Sequence, residues 1–554
     1  MLSLLLLMTT PADACGGFFC DNAQPVLQNA ERIVFGIEDG GNVEMHVQIA
    51  YEGPSEDFAW IVPTPAEPEL FVTTSALFTQ LSLVSQPRFF LQTEVEGTCR
   101  ARDYTDMTDD ASFSDGVPDY GSSYTATDAG YDVSVIGEKP VGPYDTVVLS
   151  AASVEDLTGW LGANGYDIPA ELEPVLEPYL AAGNLFVALK LQKDRDTGDL
   201  TPLGMTYAAE KASIPVQLTS VAATPDMRLE AYVLGGARGV PESYLHVGIN
   251  DAAIDWWTGG SNYADVITQA ADEAGGQAFA TDFAGSTERW ASTFDTSGWN
   301  RAEALAAEDP FEWSRVVLRA LRGVVPAELG NIVENHVALP EGVSGLTWIQ
   351  YPEYFGIDPE GPAFDVVAAT LDVEAFVIEP MGRAFDLVNR HATVSRMTSS
   401  ISPVEMTVDP VFALNADMPQ QVSEQHNATL VFECSEDRYP DEVLRRLELE
   451  DGRVLMLPPE AWMNQEALTD FEYLQEHRTD AAMVIERTGG AGNPEPLTDH
   501  RARYDDLADA HNASVREVDW VPVPRSCGCT SSGGGAGLAV VLAGGLLAWR
   551  RRQS

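Results

Sequence analysis

Residues 31–51 read ERIVFGI (31–37), EDGGN (38–42) and VEMHVQIAY (43–51), and this stretch sets the fold class. In the second arm Val43, Met45, Val47, Ile49 and Tyr51 alternate with Glu44, His46 and Gln48, the period of a strand that buries one face. The glycine-rich turn between two apolar arms predicts a β-hairpin, which puts His46 on the solvent face. After the hairpin, Phe58-Ala-Trp-Ile-Val62 reads as a third strand, closed by Pro63-Thr-Pro65, and Thr74 to Val84 as a short helix.

The rest of the chain mixes element types without an even strand–helix rhythm. Tyr144 to Leu149, Leu185 to Leu191, Val216 to Ala222 and Arg228 to Leu234 are β-rich. Val154 to Ala163 and Ala170 to Ala182 have helical periodicity, with Pro169 at a helix start, and Arg301 to Leu321 is the longest helical candidate. Phe364 to Ile378 is apolar and β-branched. Thr429 to Cys434 and Val454 to Leu457 read as strands before a helix from Pro459 to His477, and Gly489 to Pro496 and Pro522 to Ser532 read as linkers. The class expected is α+β: β-rich mixed domains with interspersed helices, plus one C-terminal hydrophobic helix. The expected divisions are a leader at 1–14, a first α+β domain at 15–300, a second α+β region at 301–485, a linker at 486–532 and a tail at 533–554.

Ahead of the hairpin, a short apolar leader ends in Ala12-Asp13-Ala14, the small-residue pattern that signal peptidase cuts, and is followed by Cys15-Gly-Gly-Phe-Phe-Cys20. Cleavage after Ala14 leaves Cys15 first. Its lipidation is disfavoured, because Ala12 replaces the usual bulky aliphatic and Asp13 is unfavourable. The motif ACGGFFC, with QNAERIVF (28–35), HVQIAYEG (46–53) and DFAWIVPTPAEPEL (57–70), resembles the bacterial secreted family called domain of unknown function 2330. The resemblance runs on through Gly142-Pro-Tyr-Asp145, Trp160 to Tyr166, Phe186 to Lys190 and Leu218 to Asp226, covering roughly residues 15–300. It implies secretion and carries no activity.

At the other end, Cys527-Gly-Cys529, a Ser/Gly spacer, the uncharged run Gly533 to Trp549 and the cluster Arg550, Arg551, Arg552 stand in order. The arginines stay cytoplasmic by the positive-inside rule, so everything before the run is exported. This arrangement resembles the MYXO-CTERM sorting tail of myxobacteria. That resemblance implies lipidation of Cys527 or Cys529 and removal of the helix by a myxosortase-type enzyme, leaving the protein on the cell surface or outer membrane after a single-pass precursor. The expected partners are thus signal peptidase, a myxosortase-type enzyme and the membrane.

Composition points the same way. With 85 acidic against 32 basic residues the net charge is −53, and only four of the basic residues are lysines (Lys139, Lys190, Lys193, Lys211). Such a surface repels nucleic acid. Of the six cysteines, Cys15, Cys20, Cys99 and Cys434 lie outside the tail, an even number in an exported protein, and are disulfide candidates with three pairings open. The position of Cys15 and Cys20 suggests an N-terminus tied down by a disulfide.

No H-E-x-x-H, G-x-S-x-G, P-loop or Rossmann fingerprint is present, and the eight histidines (46, 246, 336, 391, 426, 477, 500, 511) lack ligand spacing. No catalytic or metal residues are assigned and no cofactor is expected. The stretch Asp103 to Asp110, with Asp115, Asp119, Asp128 and Asp132, has the carboxylates a Ca²⁺ ion takes, but without a D-x-[DN]-x-[DN]-G loop it reads as a solvated insertion. Trp256-Trp257 reads as core rather than a sugar platform. The favoured function is non-catalytic display, structural or adhesive; the alternative is an anchored secreted hydrolase acting on extracellular polymer. A cleft with convergent titratable groups would favour the hydrolase, and closed domains with broad acidic faces would favour display.

Overall fold

The computed structural model describes residues 28–49, 59–100, 133–166, 172–192, 200–459 and 480–518. Its organising element is a ten-stranded mixed sheet, and the hairpin lies inside it. Strands Gln28–Glu38 and Asn42–Ile49 pair antiparallel with Ile33 opposite Val47 and Phe35 opposite Met45. The sheet order is Glu495–Asp499, Ala482–Arg487, Leu245–Ile249, Ala278–Ser286, Thr393–Ile401, Ala223–Gly235, Gln28–Glu38, Asn42–Ile49, Leu203–Ala208, Glu69–Val72. Strand 28–38 runs parallel to 223–235, and 245–249 parallel to 278–286; the other pairs are antiparallel.

One face of this sheet carries Ile33, Phe35, Val43, Met45, Val47, Leu229, Ala231, Val233 and Met397 into a core shared with Trp60, Val62, Val148, Val187, Leu189 and Phe412. These come from a four-stranded sheet (Ala59–Thr64, Leu185–Leu191, Tyr144–Ala151, Val133–Val141) and a small sheet of Ala212–Ser213, Val411–Asn415 and Arg238–Pro241. The opposite face is not open to water. Val34, Tyr232, Leu234 and Val394 pack there against Leu77, Phe78, Trp313, Val317, Leu329, Trp348, Met381 and Leu387 of the helical layer. The solvent-face reading of His46 is therefore overturned: His46 is 0% exposed. Alternation reports only that two faces differ in polarity, and here the more polar face is roofed by helices.

The roof comes close enough that side chains are excluded beneath it. A Cβ on Gly36 would lie 2.6 Å from Leu387 of the roof, and within the sheet one on Gly204 would lie 2.0 Å from the ring of its cross-strand neighbour Phe71, so both strand glycines are required by close approach. A third cluster joins helix Tyr263–Glu273 to a second four-stranded sheet of Arg88–Glu96, Gln425–Glu433, Arg445–Leu449 and Val454–Leu457.

Local expectations hold for helices 75–85, 154–163 and 173–181 and for strands 59–64, 144–151, 185–191, 425–433 and 454–457. Three differ. Val216–Thr219 is a short helix after Pro215, not a strand. The single helix expected over 301–321 is two, Arg301–Leu305 and Pro310–Leu321. The break is dictated by Pro310 at a helix start, where Asp309 accepts a capping bond from the Glu312 N–H at 2.8 Å. The linker expected over 486–532 is structured in part: Glu495–Asp499 is an edge strand and Arg501–Glu517 a helix. The β-branched run 364–378 is carried mainly by helix Val366–Val373 and the π-turn Glu374–Ile378. The helix expected at 459–477 lies outside the described residues.

Residue 300 divides no sheet from another. After the helices the backbone returns to place 393–401 between 223–235 and 278–286, with Tyr232 opposite Arg396 and Arg396 opposite Phe283. A polypeptide ending at residue 300 would leave two long strands without their shared partner. We expect such a truncation to show no cooperative unfolding and to bind a hydrophobic dye. A sharp melting transition from it would overturn the single-sheet reading.

Candidate functional site

A cavity of about 180 Å³ opens where the large sheet, the four-stranded sheet of residues 59–191 and the helical layer meet. The sheets contribute Gln48, Trp60 and Tyr144, and helix Ala327–His336 contributes Glu328 and Asn331. Glu328 Oε1 accepts from the Ser75 N–H at 2.9 Å, and Oε2 accepts from the Ser75 hydroxyl at 2.9 Å. Ser75 Oγ in turn accepts from the Ala327 N–H at 2.9 Å. Burial pushes the Glu328 carboxyl above its usual range, against the pull of its hydrogen bonds from backbone and from Ser75. Tyr144 donates to the Thr201 carbonyl at 2.6 Å, and burial raises its phenol. Glu328 and Tyr144 are the titratable groups lining the cavity among the described residues, and both are engaged. Chemically the arrangement is a clasp, in which a carboxyl of one helix receives the first N–H of another.

The roofed face of the sheet holds two charged clusters. In the first, His46 bonds through Nδ1 to Thr73 Oγ1 at 2.8 Å and through Nε2 to Glu44 Oε1 at 3.0 Å, while Arg390 reaches the other Glu44 oxygen. Burial raises the Glu44 carboxyl, but the bond and charge of His46, then Arg390, outweigh it and bring it down to about 2. In the second, Arg396, 2% exposed, directs Nη2 to Glu230 Oε1 at 3.3 Å and Nε to Asp282 Oδ2 at 3.2 Å. Asp282 also accepts from the hydroxyls of Tyr263 and Thr398, and Glu230 is met by Arg32 at 3.4 Å and Arg228 at 3.2 Å. Burial opposes the Arg396 charge, yet Asp282, then Tyr232 and Glu230, hold it above its ordinary range.

An open groove of about 540 Å³ lies beside edge strand Arg88–Glu96. Phe89 anchors it, stacked on His426 at 4.8 Å and edge-on to Trp256 at 5.5 Å. The turn at 255–260 is shaped by Asp255, whose Oδ1 accepts from Trp257 N and Thr258 N at 3.1 and 3.2 Å. Gly260, at φ +81°, admits the Phe89 ring where a Cβ would lie 2.2 Å away. Trp256 is core, as expected of the pair, whereas Trp257 is half-buried and lines the groove.

Of the cysteines, Cys99 and Cys434 form a disulfide with Cα atoms 4.7 Å apart across 335 residues. It closes the ends of parallel strands 88–96 and 425–433, whose register runs to Glu96 opposite Glu433. Cys15, Cys20, Cys527, Cys529, Arg550, Arg551 and Arg552, and the carboxylates between Asp103 and Asp132, lie outside the described residues. Several histidines face carboxylates: His246 meets Glu486 at 2.8 Å and His336 meets Asp372 at 2.7 Å. Among the described residues no group of three His, Cys, Asp or Glu side chains is placed to hold a metal ion, and no helix is long and apolar enough to cross a membrane. Sequence reasoning had no signal for Glu328, Arg390 or Arg396, whose partners are far away along the polypeptide.

A family model for uncharacterized proteins conserved in bacteria, DUF2330, matches residues 10–297. The chain belongs to this family. No curated protein and no solved structure matches it. The DUF2330 region is completed by residues C-terminal to it. Ser75, Glu44, Asp282 and Cys99 lie within the match, and their partners Glu328, Arg390, Arg396 and Cys434 lie beyond.

The clasp and Glu44 each have a measurable consequence. Glu328→Ala leaves the Ser75 N–H and hydroxyl without their acceptor and should cost about 2–4 kcal/mol in urea unfolding. Glu328→Gln, which keeps one acceptor, should cost clearly less; equal costs would remove the clasp. Glu44 sits at about 2 in the folded protein against an ordinary value of 4.5. Its contribution, of order 3 kcal/mol at most, is thus fully present above pH 4.5 and lost as pH falls through 2. The stability gap between wild type and Glu44→Gln should close between about pH 5 and about pH 2; a gap that stays constant would refute the assignment.

Proposed function

We propose that the protein is exported and held at the cell surface by its C-terminal tail, and that its body displays a binding surface and is not a catalyst. The observation that carries the reading is the Cys99–Cys434 disulfide, because a bond of this kind persists in oxidising compartments and is rare in the cytosol. A net charge of −53 is consistent with an extracellular surface that repels anionic polymers. The titratable groups of the enclosed cavity are bound up in the helix clasp and a backbone bond, which supports display over hydrolysis.

On this reading Ala14–Cys15 is the cleavage bond. With Cys99 and Cys434 joined, Cys15 and Cys20 are each other's partners. Cys527 or Cys529 receives lipid while a myxosortase-type enzyme removes the helix ending at Arg550–Arg552. A single acyl chain binds membranes only marginally, so at least two are expected on the mature protein.

Mass spectrometry of native protein from the cell envelope should find Cys15 leading, Cys15 linked to Cys20, and no peptide from 538–549. Changing both Cys527 and Cys529 to Ser should leave translocation intact and trap an uncleaved precursor in the inner membrane. Cytosolic protein with free Cys99 and Cys434 would overturn export, and a double variant still processed and displayed would overturn the sorting tail.

A further inference from the structure

We infer that the open groove beside strand 88–96 binds an uncharged, hydroxyl-rich polymer, a neutral polysaccharide. Strand register sets its lining. Strands 88–96 and 425–433 are parallel with Asn427 beside Phe90 and Thr429 beside Gln92. Side chains alternate along a strand, so Phe90, Gln92, Gln425 and Asn427 project from one face, about 5 Å apart across strands and about 7 Å apart along them. The Phe90 side chain is 45% exposed, and Trp257 lines the same groove from the facing turn.

The chemistry of this lining is selective. In a protein with 85 acidic residues, no charged side chain lines the groove among the described residues. The side-chain amides of Gln92, Gln425 and Asn427 engage no partner among those residues, although each can donate and accept. Planar apolar surface offers contact to the C–H face of a sugar ring, and adjacent amides pair with hydroxyls in the plane of that ring. An ionic ligand would find no counter-charge here, and a purely apolar one would strand three amides. The groove is shallow and open at about 540 Å³, which suits an extended polymer better than an enclosed small molecule. Truncating Phe90 leaves the core intact, because the buried anchor is its neighbour Phe89, packed between Trp256, Tyr263 and His426.

Affinity electrophoresis and titration calorimetry of the full-length protein, purified in detergent, would test this against neutral α-glucan, β-glucan and galactomannan, with alginate as the anionic control and an extended uncharged peptide as a competitor for the strand edge. We expect retention by at least one neutral glycan, roughly tenfold weaker or more for Phe90→Ala and for Asn427→Ala, with both variants melting as wild type does. No retention by any neutral glycan, equal retention of both variants, equal binding to alginate, or binding of the peptide in place of the glycans would each overturn the inference. The assay is independent of where the protein resides, so its failure leaves the display reading intact.

Discussion

Arg396 places a guanidinium in the middle of a ten-stranded sheet, under a roof of helices, and the neighbouring strands are arranged around that charge. An isolated charge there would be intolerable by many kcal/mol. Glu230 on one side and Asp282 on the other bring compensating charge, and the hydroxyls of Tyr263 and Thr398 fill remaining acceptor sites on Asp282. Each partner comes from a different part of the sequence. The cluster therefore forms only when strands 223–235, 278–286 and 393–401 and helix 263–273 are assembled together, and it penalises any other strand order. Buried polar sets of this kind are better at selecting one arrangement than at adding stability.

The same logic explains why the family region and the residues beyond it are one folding unit. The DUF2330 match ends before the strand that fills the sheet, before the roof helices that follow residue 301 and before the second half of the disulfide. Hydrophobic matching brings the layers together. Pairs such as Ser75 with Glu328, and Glu44 with Arg390, then fix how the helices sit, since a donor or ion buried beside the wrong neighbour costs more than a misplaced leucine.

Much of the fold was legible locally. The hairpin followed from alternation and a glycine-rich turn, helix 154–163 from its periodicity, and strand 454–457 from its apolar run. Which faces are covered could not be read, because Glu44, His46 and Gln48 look the same whether water or a helix lies above them. The site residues were less legible still. Glu328 carries no motif, and Phe90 becomes distinctive only once a parallel neighbour sets Asn427 beside it. The Trp256-Trp257 pair splits between interior and groove because the Asp255 turn aims consecutive residues apart, a distinction that composition does not carry.

The Cys99–Cys434 link also changes how the molecule would bear a mechanical load. Tension applied between the segment beyond Cys434 and strand 88–96, where the groove lies, runs through the sulfur atoms and bypasses the loop between the two cysteines. The roof helices after residue 301 and the central strands of the sheet from 223 onward sit in that loop and are shielded from the pull, as cargo is shielded by a strap that passes around it. A reduced protein would have to transmit the same force through hydrogen bonds between strands 88–96 and 425–433, loaded along their length, and would yield by sliding one strand past the other.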